Sequence, residues 1–202
     1  APWWYHNLKK YDGFVRTNLA ANYHLYSGNN PKNKTGGGIG GIDVDHTVIS
    51  KNFNNEPLKL NIAYRDAALN YIKDNPNETL KLYFKKFNRF WSFYPFKMPN
   101  NLIANDENYE ELFNANKYNN INYKIISIFS YGIIFSLSII FIFFFSKKYL
   151  KKISPLLAII LFLTIIHIIT ISSIRYRFPI EPILIIFASF VIKQILSKKK
   201  II

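Results

Sequence analysis

Residues 125–145 read IISIFSYGIIFSLSIIFIFFF, 21 consecutive positions without a charged side chain. At 1.5 Å per residue such a helix covers a hydrocarbon core of about 30 Å. Two further apolar runs follow, 154–171 (SPLLAIILFLTIIHIITI) and 179–196 (PIEPILIIFASFVIKQIL). The second opens on Ser154 and Pro155, an N-cap and first-turn pair; the third also opens on a proline, Pro179. A soluble core helix rarely runs this far without a polar face, so the three runs predict transmembrane helices.

Outward from these runs the composition changes abruptly. Residues 1–123 are polar, rich in Asn, Lys and aromatics, and carry 15 basic and 11 acidic side chains; the remaining 79 residues carry 11 basic and one acidic. The excess charge flanks apolar runs, which points to membrane orientation and away from nucleic-acid binding. Lys147, Lys148, Lys151 and Lys152 lie between the first two runs, and Lys193, Lys198, Lys199 and Lys200 near the end. The positive-inside rule makes those segments cytoplasmic. Residues 1–123 and the loop 172–178 are then extracytoplasmic, with Lys124, Arg175 and Arg177 as the nearby cations. The expected fold is a mainly α-helical integral membrane protein, with a mixed helix and loop segment over 1–123 and three transmembrane helices over 124–202.

The outer segment is readable in parts. Its first residues, APWWYHN, suit a membrane interface just outside a helix, or else a soluble core; starting at Ala1 without a leader, the chain reads as truncated. Tyr26–Gly41 is turn chemistry throughout and reads as a long loop. Its Gly36, Gly38 and Gly41 match G-x-G-x-x-G only formally, because no apolar strand precedes them, and no dinucleotide site is assigned. Asp43, Asp45 and His46 have metal-ligand chemistry, but a D-x-D triplet arises too often by chance for a metal site to be assigned. With no cysteine, the chain has neither a disulfide framework nor a thiolate metal site.

Leu58–Asp74 has the pattern of a helix, with Tyr64, Ala68, Tyr71 and Ile72 on one face. A second helix is expected over 76–94, with Asn75 as N-cap, Pro76 first and Glu78 closing a capping box. Leu80, Tyr83, Phe84, Phe87, Trp91 and Tyr94 form its apolar stripe, while Lys81, Lys85 and Arg89 line another face. That describes an amphipathic helix lying along the bilayer surface; packing of the stripe on a soluble core is the alternative. Residues 100–122 read as an irregular linker.

The loop before the last helix, Arg175-Tyr176-Arg177-Phe178-Pro179, places two guanidinium groups on the side where cations are disfavoured. Their planar fork suits a phosphate; anchoring to lipid headgroups is the plainer role. His167 lies within the second run, with Thr164 and Thr170 at three-residue spacing. Ionisable groups inside membranes are costly and usually functional, although a structural hydrogen bond would also account for it.

In order along the chain, Pro2-Trp3-Trp4-Tyr5-His6-Asn7, Tyr23-His24-Leu25-Tyr26-Ser27-Gly28-Asn29-Asn30-Pro31, Arg65-Asp66 through Ala68-Leu69, Ile72 and Pro76, and Arg175-Tyr176-Arg177-Phe178-Pro179 resemble motifs of the C-terminal region of bacterial GT-C superfamily glycosyltransferases. The family in question groups protein O-mannosyltransferases with aminoarabinose transferases of lipid A. His6 stands where that family usually has arginine. The resemblance implies transfer of a sugar from a polyprenyl-phosphate carrier to a hydroxyl of a lipid, glycan or protein, on the outer face of a bacterial inner membrane. It further implies an acidic residue for acceptor activation in the first extracytoplasmic loop, expected upstream of Ala1 in a missing N-terminal half, so neither Asp43 nor Asp45 is given that role. Arg175 and Arg177, with Tyr176 and His167 beside them, would hold the donor phosphate, and Asn29 and Asn30 would contact sugar or acceptor. The partners implied are membrane lipid and the lipid-linked sugar. No cofactor is assigned, and a divalent cation is compatible. A non-catalytic envelope protein, or part of a ligase or flippase for lipid-linked polysaccharide, are the competing readings.

Overall fold

The computed structural model describes residues 2–11, 13–15, 19–37, 43–45, 47–53, 56–94 and 121–199. Among these residues the chain is helical, with no strand. It divides into two compact units, residues 1–89 with 167–172, and residues 90–166 with 173–202.

The first unit holds α1 (Pro2–Tyr11), α2 (Ala20–Gly28), α3 (Thr47–Ser50), α4 (Pro57–Asp74) and most of α5 (Pro76–Phe90). Tyr26, Val44, Tyr64 and Ala68 form its core. The expected face of α4 supplies two of them. Tyr64 stands edge-on to Tyr23, with centroids 5.6 Å apart, and tilts against Tyr26 at 5.3 Å, so α2 and α4 are joined by an aromatic cluster. Tyr26–Gly28 thus belongs to a helix and not to the expected long loop, because Tyr23 and Tyr26 reach this core at helical spacing. Beyond Gly28 the turn chemistry is present as expected as far as Gly37. Gly38 and Gly41, His46 and the linker region 100–120 lie outside the described residues.

The junction of α4 and α5 differs from the expected capping box. The Asn75 amide donates back to the Tyr71 carbonyl at 3.2 Å, closing the end of α4. Glu78 pairs with Lys81 at 2.8 Å, because a salt bridge one turn ahead competes with the bond back to the cap. Helix α5 ends at Phe90, short of the expected position 94.

The face that α5 buries is also not the one its aromatics mark. Thr79, Leu82, Lys86 and Phe90 are buried, whereas Leu80, Phe84 and Phe87 are exposed, Phe84 by 64%. Leu80, Phe84 and Phe87 of the aromatic stripe therefore do not pack on the protein's own core, whereas Tyr83 is half-buried and Trp91 packs beside Phe90.

The second unit holds the membrane helices. Residues 121–144 form α6 (Ile121–Ser127) and α7 (Ile133–Phe144), joined by a π-helical stretch, Ile128–Gly132; α8 is Ser146–Ile169 and α9 is Glu181–Lys199. Three spans, Lys124–Phe144, Ser146–Ile169 and Ile174–Ser197, are long and apolar enough to cross a membrane. Helices α7 and α9 pack through Phe141 and Phe187, stacked 4.5 Å apart, with Ile153, Ile183 and Val191 around them. The buried Ser138 hydroxyl lies 2.7 Å from the carbonyls of Ile134 and Leu184, a polar link of the kind that joins helices where water is absent.

Helix α8 begins at Ser146, eight residues before the expected start, and Pro155 is interior. A proline there leaves the carbonyl four residues back without its N–H. Ser154 supplies a substitute, its hydroxyl donating to the Lys151 carbonyl at 3.4 Å, and so compensates for the proline where an N-cap was expected. Helix α9 starts two residues later than expected, because Ile174–Ile180, Pro179 included, is wound as a 3-10 helix.

Candidate functional site

Two polar clusters stand out, one in each unit. The first surrounds the expected arginine loop. Tyr176 N–H donates to the Ser173 carbonyl at 3.1 Å, starting the 3-10 turn that sets the directions of Arg175 and Arg177. Two residues apart on so tight a helix, they diverge. Arg177 is buried, 2% exposed, and donates through one terminal nitrogen to the carbonyls of Phe90 (3.1 Å) and Ser92 (2.8 Å). Its guanidinium carbon lies 3.6 Å from the centroid of the Tyr131 ring, and Nε lies 3.5 Å from Glu181 Oε1. Arg175 is exposed, with no ion pair or hydrogen bond among the described residues. Tyr176 is half-buried beside the core of Phe90, Ile180 and Leu184. The arginines therefore form no paired clamp. Arg177 mounts the turn, and Arg175 is the guanidinium available to a ligand.

Tyr131, which lies under Arg177, is carried on the π-helical stretch, where the extra residue per turn re-aims side chains. Removing Arg177 would leave two chain carbonyls and the Glu181 carboxylate short of a partner. Arg177→Leu should cost about 3 kcal/mol, read as a lowered thermal midpoint, and Arg177→Lys should recover little of it because one ammonium cannot bridge both carbonyls and cover the ring.

The second cluster is centred on a lysine. Lys86 is buried, 0% exposed, on the packed face of α5. Its Nζ donates to Asn29 Oδ1 and to the Ile169 carbonyl, both at 3.2 Å, and sits 5.1 Å from the Tyr83 ring centroid. No carboxylate lies within 4.0 Å of it among the described residues. Burial without a counter-ion pulls the amine down to about 7. Four-residue spacing puts Lys86 between Leu82 and Phe90, and that was the available signal; it was hidden in a run of cations with Lys81, Lys85 and Arg89.

Asn29 and Asn30 belong to this same cluster. The Asn29 amide donates to the carbonyls of Leu25 (2.8 Å) and Ile169 (2.7 Å). Asn30 donates to Tyr26, Ser27 and Asp43 carbonyls and accepts the Lys32 and Asn33 N–H groups. Both are fully buried, Asn30 bonded to backbone groups and Asn29 to two carbonyls and the Lys86 amine. Asn33 ties Ser27 to Gly37, each at 2.7 Å, and Gly36 takes a positive φ of 78° where its backbone runs against Lys86.

The acidic pair is likewise accounted for. Both Asp43 oxygens lie within 2.8 Å of the Thr35 hydroxyl, and Asp45 accepts from Thr47. Arg89 reaches Thr35 at 3.3 Å; burial lowers its pKa and nearby Asp43 opposes that. Among the described residues no three His, Asp or Glu side chains converge as a metal site would require. His167 is half-buried, with Nδ1 3.3 Å from the Ile171 carbonyl oxygen, and belongs to the first unit, whereas Thr164 and the arginine turn belong to the second.

No family model, curated protein or solved structure matches the chain.

Proposed function

We propose that the chain forms part of a membrane glycosyltransferase that moves a sugar from a polyprenyl-phosphate carrier to a hydroxyl acceptor on the outer side of the membrane. The observation that carries this reading is Arg175, an exposed guanidinium on a 3-10 turn at the edge of an apolar helix, mounted by buried Arg177. Supporting it are the four motifs quoted above, in the order the family has them.

In this reading the acceptor oxygen bonds to the anomeric carbon as the bond from that carbon to the phosphate oxygen breaks. The lipid phosphate leaves with the electron pair, and the acceptor proton passes to a base. Arg175 would offer two parallel donors to the leaving phosphate, and donors fixed before charge develops give the larger part of such stabilisation. Placing residues 1–123 and Arg175 on the outer side follows from the lysines flanking the helices. The exposed Leu80, Phe84 and Phe87 of α5, with Lys81 and Lys85 beside them, suit a helix resting on the bilayer surface.

The test is transfer from a radiolabelled polyprenyl-phosphate hexose by the full-length protein in vesicles. Arg175→Gln should lower transfer by roughly a hundredfold, the loss of one strong transition-state donor, with insertion and thermal midpoint unchanged. Unchanged turnover in that variant would remove the phosphate role. Absence of transfer from every polyprenyl-phosphate sugar by the unsubstituted protein would favour a non-catalytic envelope protein.

A further inference from the structure

Segment 167–172 comprises the end of α8 and the three residues after it, and four separate contacts gather it into the first unit. The Ile169 carbonyl, unpaired because α8 stops there, accepts from Asn29 Nδ2 at 2.7 Å and from Lys86 Nζ at 3.2 Å. The Ser172 hydroxyl donates to the Lys86 carbonyl at 2.7 Å. Gly28 lies so close to Thr170 that a Cβ there would fall on the Thr170 carbonyl. Side chains of α2 and α5, distant in sequence, thus cap the end of α8.

The Lys86 amine presents an asymmetry. It meets two acceptors, Asn29 Oδ1 and Ile169 O. A neutral amine has two N–H groups and an ammonium three. The pocket therefore meets both N–H donors of the neutral form, while a proton would add a charge without a carboxylate partner and a third N–H that faces at most the Tyr83 ring.

We propose that Lys86 is a proton-operated latch, holding segment 167–172 against α2 and α5 while its amine is neutral and releasing the segment when the amine takes up a proton. The depressed pKa, about 7, puts the change near neutral pH. Other titratable or charged groups on the elements around it are Glu78, Lys81, Tyr83, Lys85 and Arg89 on α5, Tyr23, His24 and Tyr26 on α2, Lys32, Lys34, Asp43 and Asp45 on the loop, and His167 on the segment itself. Asp43 is engaged by Thr35 and Asp45 by Thr47. Histidine is the side chain whose ordinary titration falls between pH 5 and 8, so the test separates His24 and His167 from Lys86.

Because the chain has no cysteine, spin labels can be placed at Lys32→Cys and Ile169→Cys without background. Both side chains are exposed. Distances between the labels are read by pulsed electron resonance, with the intact protein in lipid nanodiscs at pH 8.5 and 5.5. An amine held near 7 when closed and returning to 10.5 when open raises the opening constant roughly thirtyfold between these two pH values. A second distance population should therefore grow by that factor on acidification.

Lys86→Gln keeps two N–H donors without a titrating charge, and should show the closed distance at both pH values. Lys86→Arg, charged throughout, should show the open population at both. His24→Gln and His167→Gln should respond like the parent. A pH-independent parent overturns the proposal, as does a response that survives in Lys86→Gln or vanishes with either histidine. If Lys86→Gln does not fold, the same comparison is made with Lys86→Met, which also lacks the titrating charge.

Discussion

Replacing Gly28 with alanine should unfold or grossly weaken the first unit. An ideal Cβ at this position falls on the Thr170 carbonyl oxygen, 2.5 Å from the carbonyl carbon and 3.0 Å from Lys86 Nζ. Two of those atoms are backbone and cannot swing away as a flexible side chain would. Backbone must shift at one end of the contact, which separates Asn29 and Lys86 from the Ile169 carbonyl they cap. Overpacking of this kind costs about 3 kcal/mol or more, a large part of the stability of an ordinary domain. Limited proteolysis and the thermal midpoint would register it. Gly13→Ala is the control, since its Cβ would meet the movable end of the Leu58 side chain and should cost far less. Equal stability of Gly28→Ala and the parent would mean that this close approach does not exist.

The second large effect is a pH slope in stability originating at Lys86. Its amine titrates near 7 in the folded chain and near 10.5 when solvated. For a base whose folded pKa is depressed, the unfolded chain binds more protons between those two values, so stability rises with pH across that window. Below about 7 both states are protonated and this residue contributes no slope. Each pH unit inside the window is worth up to about 1.4 kcal/mol, so raising the pH from 7 to 9 should add about 2 to 3 kcal/mol. The measurement is the thermal midpoint from tryptophan fluorescence at several pH values. Lys86→Gln should flatten the curve and be the more stable protein at pH 6, where the parent must either bury a charge or discard a proton. An identical slope in parent and variant would place the titrating group elsewhere.

These two residues mark the limit of reading along the chain. Lys86 sits among Lys81, Lys85 and Arg89, and cations at that spacing describe a solvated face equally well. What separates it is that Leu82 and Phe90 flank it one turn away on each side, a weak pattern beside the stronger aromatic stripe of Leu80, Phe84 and Phe87. The stronger stripe turned out to be exposed. Periodicity identifies an apolar face but not its neighbour, and in a chain that also carries membrane helices lipid is an alternative to the protein core. Arg175 and Arg177 show the same limit at closer range. On paper they are one basic pair; a 3-10 turn and two carbonyls, of Phe90 and Ser92, bury the second and leave the first free.

The sequence by itself determined the three membrane helices, the helices on either side of Asn75, the polar turn after Gly28 and the apolar-to-polar division of the chain. Each depends on residue type and spacing within about 20 neighbours, where length, period and proline placement act directly. Only the tertiary structure decided which face of α5 is buried, that Asn29 and Lys86 cap α8 across separations of 140 and 83 residues, and which of two arginines is open to a ligand. Those outcomes turn on the desolvation of one amine and on acceptors supplied by distant backbone. No local pattern encodes them, because the partner of a buried polar group is fixed by packing and not by its place in the chain.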